Sequence, residues 1–317
     1  MKIRDRFGSL GVGAGPYAEP MVNPTRGILY PARLPEFHRL LAPAEVADLV
    51  AWFWIPEWDI EPGRSSRQEI VSYPALNLVV EPEGVSLAGA TTRASHRDLR
   101  GRGWAVGALL RPAAVAALVE EPAALIDAET PIDAPELLAA VTADMASGDG
   151  HRERAVASFS GWLRARVGRP DDAALQANGL FDALMGEGAV LTPEEAAIRL
   201  AVSLRTLQRM THRHIGLSPA AMIRRRRLQE AAQLVREEPT ADLSTIAAEL
   251  GYSDHAHLTR DFQAVLGVAP RSYRAESAAE SAAESAEGGS ADGSAAREAQ
   301  AQHPVSDAER DDARPDE

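Results

Sequence analysis

The chain has 317 residues, a formal net charge of −13 and no cysteine, which leaves room for two or three domains and excludes disulfides, thiolate zinc sites and cysteine nucleophiles. From Met1-Lys2-Ile3-Arg4-Asp5-Arg6 the sequence enters no apolar run, and no stretch approaches the ~20 apolar residues of a membrane span. A soluble cytoplasmic protein without a membrane partner is expected.

Residues 1–24, punctuated by Gly and Pro, are expected to form a loose N-terminal arm. Residues 25–135 favour strands, at Glu69–Tyr73, Leu76–Val80, Gly84–Ala88 and Trp104–Leu110, with a short helix over Pro112–Glu120. The product is a small β-sandwich or half-barrel. Trp52-Phe53-Trp54 and Trp58 are first of all a hydrophobic anchor for that sheet. The sharper alternative is that one indole lines a ligand pocket.

Residues 136–189 turn helical, with periodic segments at Pro135–Ala146, His151–Val167 and Asp171–Met185 separated by Ser147-Gly148-Asp149-Gly150 and Gly168-Arg169-Pro170. They connect the sheet to the C-terminal part of the chain or form a dimer interface. Residues 275–317 begin with three Ala-Glu-Ser-Ala units and carry twelve acids against three arginines. With almost no large apolar side chain, a disordered acidic tail is expected there.

Between them, residues 190–274 contain one pattern twice. Leu200-Ala201-Val202-Ser203, Leu207, Arg209, Gly216 and Pro219 return as Leu250-Gly251-Tyr252-Ser253, Leu258, Arg260, Gly267 and Pro270. The offset is 50 residues up to the serine and 51 after it, so one residue is inserted in the second copy's later helix or in the turn before it. Thr192-Pro193-Glu194-Glu195 is a capping box opening a helix, and Ser203 and Ser253 are expected to cap the helix after each turn. Each copy therefore reads as a helix-turn-helix suited to the major groove of DNA.

The charge distribution fits. Arg199–Arg236 holds nine arginines against one acid, Glu230, and local field rather than total charge attracts phosphate. Arg205, Gln208 and Arg209 face away from the apolar side of the first recognition helix, and Arg and Gln are the side chains that pair bidentately with guanine and adenine. The second helix presents Asp254, His255, His257 and Arg260. Ser203, Arg213, Arg224, Arg225 and Ser253 are the candidates for phosphate contact and positioning. Arg227 is expected to hold the two units together.

An enzyme is the first rival reading. His212-x-His214 and His255-x-His257 point about 200° apart on a helix, so neither pair chelates a metal. No nucleophile elbow, phosphate loop, dinucleotide fingerprint or HExxH is present. No catalytic residue, metal or cofactor is expected.

Leu258 to Arg274 reads Leu-x-Arg-x-Phe-x4-Gly-x2-Pro-x2-Tyr-Arg, which resembles the C-terminal signature of the AraC/XylS family of bacterial transcription regulators. Arg227-Leu228-x2-Ala231-x2-Leu234 resembles that family's linker helix, and Ser203-x3-Leu207-Gln208-Arg209 its first recognition helix. The resemblance implies an α+β protein: an N-terminal β-rich, cupin-like domain, a helical linker, and a C-terminal all-α domain of two helix-turn-helix subdomains joined by a linker helix. It places base reading on Arg205, Gln208, Arg209, the 254–257 stretch and Arg260. It implies promoter DNA as partner, as activator or repressor, with a small-molecule effector, RNA polymerase and a second copy of the chain as further candidates. The N-terminal half is similar to the family's sensor domains through Tyr30-Pro31, the tryptophan segment and Gly107-x3-Arg111-Pro112. No residue set names an effector. The second rival is a ligand-independent regulator whose β domain serves dimerisation or protein interaction.

Two positions depart from the pattern. Thr211 stands where the second copy has Phe262, which is expected to weaken the first core. Ala201 stands where Gly251 takes the turn, at up to about 1 kcal/mol if the turn needs positive φ.

Overall fold

Val106-Gly107-Ala108-Leu109-Leu110 is apolar at every position because it is the strand buried on both faces. The structure, a computed structural model, describes residue 29 and residues 36–186, 190–280 and 282. The expected N-terminal arm, Tyr30-Pro31 and residues 283–317 of the expected tail lie outside the described residues.

The N-terminal strands are β1 (Glu36–Leu41), β2 (Val50–Asp59), β3 (Ser66–Ile70), β4 (Asn77–Glu81), β5 (Gly84–Ala88), β6 (Ser95–Leu99), β7 (Arg102–Trp104), β8 (Val106–Leu110) and β9 (Glu129–Pro131). Seven of them form an antiparallel sheet in the order β1-β2-β8-β4-β5-β9, with β7 also paired to β2; β3 and β6 make a separate antiparallel ribbon. The sheet path is open from β1 to β9. The expected β-rich, cupin-like unit is thus a sheet closed off by helices.

Period-two alternation gives the sheet two apolar faces. Phe53, Ile55, Leu78, Val80, Val106, Ala108 and Leu110 pack with Leu137, Val141, Phe159 and Leu163 of α2 (Pro135–Met145) and α3 (His151–Val167). Leu109, one residue out of phase, joins Tyr73, Ala75 and Ala90 on the opposite side. There the core continues into α4 (Asp172–Met185), α5 (Pro193–Arg199), α6 (Leu204–Ile215) and α7 (Pro219–Glu237), through Leu180, Phe181, Ala196, Leu207, Ile215, Met222 and Ile223.

The tryptophans anchor the sheet. Trp54 lies across Gly107, where a Cβ would come within 2.0 Å of the indole, and its Nε1 donates to Asn77 Oδ1 at 3.0 Å. Trp58 covers Gly103 in the same way. The segment 104–110, expected as one strand, is split at Ala105, whose N–H donates to Pro56 instead of continuing the ladder. The expected helix over 112–120 stops after one turn, α1 (Pro112–Val115), and a 3-10 turn comes next at Pro122–Leu125.

The second subdomain, α8 (Leu243–Glu249) and α9 (His255–Leu266), packs Ile246, Leu250, Leu258 and Phe262 with Tyr273, and Leu228 and Val235 of α7 and Leu29 and Val71 of the N-terminal part join that core. Tyr273 belongs to a helical stretch over 270–280. The first residues of the expected disordered tail, 275–280, are therefore helical, with Ser277 buried. The Ala-Glu repeat is a good helix former and continues the turn that Tyr273 anchors.

Candidate nucleic-acid interface

Each recognition helix begins on a side-chain cap and ends on a left-handed glycine. Ser203 Oγ accepts from Thr206 N–H at 3.1 Å, and Gly216 closes α6 at φ +88°. In the second copy the cap is Asp254, not Ser253: its carboxylate accepts from His257 N–H at 2.7 Å, and Gly267 closes α9 at φ +78°. Caps of this type stabilise a helix by about 0.5–2 kcal/mol. The helix N-terminus holds the Asp254 carboxyl below the usual carboxylate range, first through that backbone N–H.

This cap locates the inserted residue. α5 and α8 start 50 residues apart, whereas α6 and α9 start 51 apart. The insertion is therefore in the turn between the helices, and within the recognition helices residue i corresponds to i+51. Arg209 pairs with Arg260, as the sequence suggests. Arg205, Gln208 and His212 correspond to Ala256, Thr259 and Gln263.

Arg205, Gln208, Arg209, His212 and Arg213 are all exposed on α6, at the spacing of one helical face. On α9 the matching face carries His255, Ala256, Arg260 and Gln263 exposed and Thr259 half-buried. Thr259 and Gln263 were missed by sequence reasoning; carrying the 51-residue offset through the helix would have found them.

Three expected contact residues of the second copy also build the start of α9. Asp254 caps it. His257 is half-buried, its Nδ1 at 3.2 Å from Ser253 Oγ and its ring edge-on to Tyr252 at 5.2 Å between centroids. Ser253 itself is exposed beside them. His255 and Arg260 remain open to solvent.

The four arginines 224–227 all have partners inside the protein. Arg224, expected at phosphate, forms a two-pronged pair with Asp261 of α9 at 2.9 and 3.0 Å. Arg225, also expected at phosphate, is only 3% exposed. Its Nε donates to Ser72 O at 3.0 Å and its Nη2 to Thr91 Oγ1 and Arg93 O at 2.7 and 2.9 Å. A buried guanidinium needs hydrogen-bond acceptors, and these serve Nε and Nη2, while Nη1 is buried without one. Burial lowers its pKa to about 10, with Asp127 opposing, so it stays charged at neutral pH. Arg226 is buried against Glu230 and Val190 O, at 2.8 Å each. Arg227 stacks over Tyr252 at 3.8 Å from the ring centroid, tying α7 to the second subdomain's turn. On α6 the exposed basic side chains are Arg205, Arg209, His212 and Arg213.

The two departures have distinct outcomes. Ala201 adopts φ +52°, matching Gly251 at +71°, so the turn does require a left-handed residue. Thr211 is fully buried, and its hydroxyl donates to Gln208 O at 3.0 Å. α6 packs against α1, α4 and the 122–125 turn, so the first core is supplemented from the N-terminal domain.

Among the described residues, the side chains close enough to share a cation are Glu36, His38 and Glu57, far from either recognition helix in sequence. Arg152 and His151 already bond Glu57; although burial pushes its carboxyl up, those hydrogen bonds hold it below its ordinary value.

Two capped helix-turn-helix units on one linker helix define a double helix-turn-helix module. Residues 196–276 match a family model described as a helix-turn-helix domain, and residues 38–130 one described as a domain of unknown function (DUF6597). The chain carries an AraC-type helix-turn-helix domain in its C-terminal part, beside that N-terminal domain. Over 81 residues, 26% of this chain and 29% of its relative, it is 37% identical to the HTH-type transcriptional activator RhaS of Escherichia fergusonii. Over 124 residues, 39% of each chain, it is 33% identical to a putative AraC-like transcription regulator of Streptomyces lividans. The chain thus matches well under two thirds of the length of these curated relatives. Among solved structures, ToxT from Vibrio cholerae O395 aligns with a TM-score of 0.35 at 11% identity, covering 75% of this chain and 95% of that one. No helix among the described residues is long and apolar enough to cross a membrane.

Proposed function

We propose that the chain is a sequence-specific transcriptional regulator, acting without catalysis in the cytoplasm on double-stranded promoter DNA. The observation that carries this reading is the repeated frame: two capped recognition helices with Arg209 and Arg260 at the same exposed position. Arg205, Gln208 and Arg209 read bases in one half-site, and His255, Arg260, Thr259 and Gln263 in the other. Ser203 and Arg213 contact phosphate. Selection of bound sites from random duplexes by the full chain tests it, with a bipartite consensus as the expected result. Arg213→Ala should weaken binding to every sequence and reduce the salt slope by about 0.9, the value for one phosphate. A parent protein that selects no sequence overturns the reading.

The same proposal has the N-terminal domain sense a small molecule. Support comes from the sheet face carrying Trp54 with its Asn77 bond, and from Trp52, which stacks edge-on with Tyr73 at 4.7 Å and under Arg39 at 5.1 Å. An indole beside a guanidinium, as Trp52 is beside Arg39, suits an apolar acid. Tryptophan fluorescence titrated with such acids checks this, and a response that survives Trp54→Phe and Trp52→Phe together counts against the site. The coverage of both sheet faces by helices favours a second reading, a ligand-independent regulator whose N-terminal domain is an architectural part.

A further inference from the structure

We propose that the N-terminal domain is a brace that fixes the spacing of the two recognition helices, with Arg225 and Gln229 of α7 as its positioning residues. The inference rests on the DNA-reading function above and adds a source for its geometry.

Three separate parts of the DNA-binding unit are attached to the N-terminal domain, each on a side away from the proposed groove face. The first attachment holds α6. Gly216 at its C-terminal end sits so close to the 122–125 turn that a Cβ would meet Ala123 Cα at 2.8 Å, and Leu207 and Ile215 share a core with Tyr73 and Leu109. The second holds α7. Arg225 and Gln229 lie four residues apart on one face; Gln229 Nε2 donates to Val71 O at 2.7 Å, beside the Arg225 bonds to Ser72, Thr91 and Arg93. The third holds the second subdomain. Ala94 N–H donates to Val265 O near the end of α9 at 2.7 Å, and Tyr273 Oη donates to Leu29 O at 2.6 Å.

The same short loop serves two of these attachments. Arg93 O is bonded from α7 and the next residue, Ala94, bonds α9, so residues 91–94 bridge the linker helix and the second recognition helix. That loop is itself fixed from behind by Asp127, at φ +56°, whose carboxylate accepts from Thr92 N–H at 2.6 Å. The segment containing Asp127 also supplies Ala123 against α6. One stretch of the N-terminal domain, 121–128 with 89–94, therefore connects α6, α7 and α9. Meanwhile Arg205, Gln208, Arg209 and Arg260 stay exposed.

A fixed spacing has a direct signature. Inserting one base pair between half-sites rotates one against the other by about 34° and moves it by about 3.4 Å. A braced pair cannot follow, whereas two subdomains joined through α7 alone can bend.

The test uses the full chain and a bipartite site selected from random duplexes. Binding is measured at one salt concentration on that site and on versions with one and two base pairs inserted between its halves. The parent should lose on the order of 100-fold on the two-base-pair insertion, within the usual range of couplings between sites. The double variant Arg225→Met, Gln229→Met should lose less than tenfold there while binding the unaltered site within a few-fold of the parent. Gln229→Met and Thr91→Val singly should fall between, and cooperative thermal melting establishes that each is folded. Folded variants that keep the parent's full spacing penalty overturn the brace, as does a parent indifferent to the insertions. A parent that selects no bipartite site overturns the regulatory reading itself, which is a different result.

Discussion

The two helix-turn-helix subdomains follow one template but draw their stability from different places. The second is built around aromatic side chains, with Leu29 and Val71 added from the N-terminal part: Phe262 and Tyr273 lie 5.7 Å apart, and Arg227 stacks on Tyr252 at its turn. The first has Thr211 at the position of Phe262 and rests Leu207, Ile215 and Met222 on the N-terminal sheet. A repeat can thus keep its outward chemistry in register while one copy gives up part of its interior to a neighbouring domain. The reading faces differ in the opposite sense. α6 carries three exposed arginines, and α9 carries Arg260 with neutral and imidazole side chains.

The sharpest test of that difference is at the matched arginines. Arg209→Ala and Arg260→Ala should each relax preference at a separate base position, by about 1–3 kcal/mol, roughly 5–150-fold. Footprints of selected sites read this, and two variants that protect the parent's consensus unchanged would remove the pairing. Next come the caps. Asp254→Ala should destabilise by about 0.5–2 kcal/mol, whereas Ser253→Ala should change little; equal losses in denaturant midpoints would return the cap to Ser253. The turns are third. Ala201→Gly should stabilise by up to about 1 kcal/mol by relieving a left-handed alanine. Gly251→Ala should do the reverse, since it adds the φ penalty and approaches Leu191 at 3.2 Å.

The smallest effect is a pH dependence confined to the first subdomain. Burial, with Arg213 adding, holds His214 below its ordinary value of 6.5, and a hydrogen bond to the Pro112 carbonyl opposes them. Its folded pKa lies below the unfolded one, so the unfolded chain takes up the proton first as pH falls. The contribution is full above about 6.5 and declines below it. His214→Gln should flatten the melting temperature between pH 7 and 5.5, by no more than about 2–4 °C. Glu57, also lowered, loses its contribution only further into acid.

The DNA-binding half was legible because its signals are local. Thr192, Ser203 and Ser218 cap helices through their own side chains, Gly216 and Gly267 end them, and both copies repeat the pattern. The error at Ser253 arose because an inserted residue put two capping types side by side, and the chain uses the later one. The arginine run misled for a different reason. Charge in a sequence shows where a field can be, but the partners of Arg225 are the backbone carbonyls of Ser72 and Arg93 and the hydroxyl of Thr91, more than 130 residues away. Carbonyl acceptors leave no trace in composition. In the N-terminal half, β6 was invisible because Ser95-His96-Arg97-Asp98 is polar at each position, its alternation lost on an exposed ribbon. The strand pair β7 and β8 was merged because Gly103 and Gly107, which seat the tryptophans, look like ordinary strand residues until Trp54 and Trp58 are placed over them.

The shared core under α6 bears on how this protein can be divided. Leu207, Ile215, Leu217, Met222 and Ile223 are buried in one cluster with Tyr73, Ala75, Ala90 and Leu109. Cutting the chain at about residue 190 would uncover that apolar surface on both fragments, the kind of contiguous patch that drives association in water. A boundary drawn from the helix-turn-helix pattern alone therefore yields a sticky fragment, and the natural unit for expression is the sheet together with both helix-turn-helix subdomains.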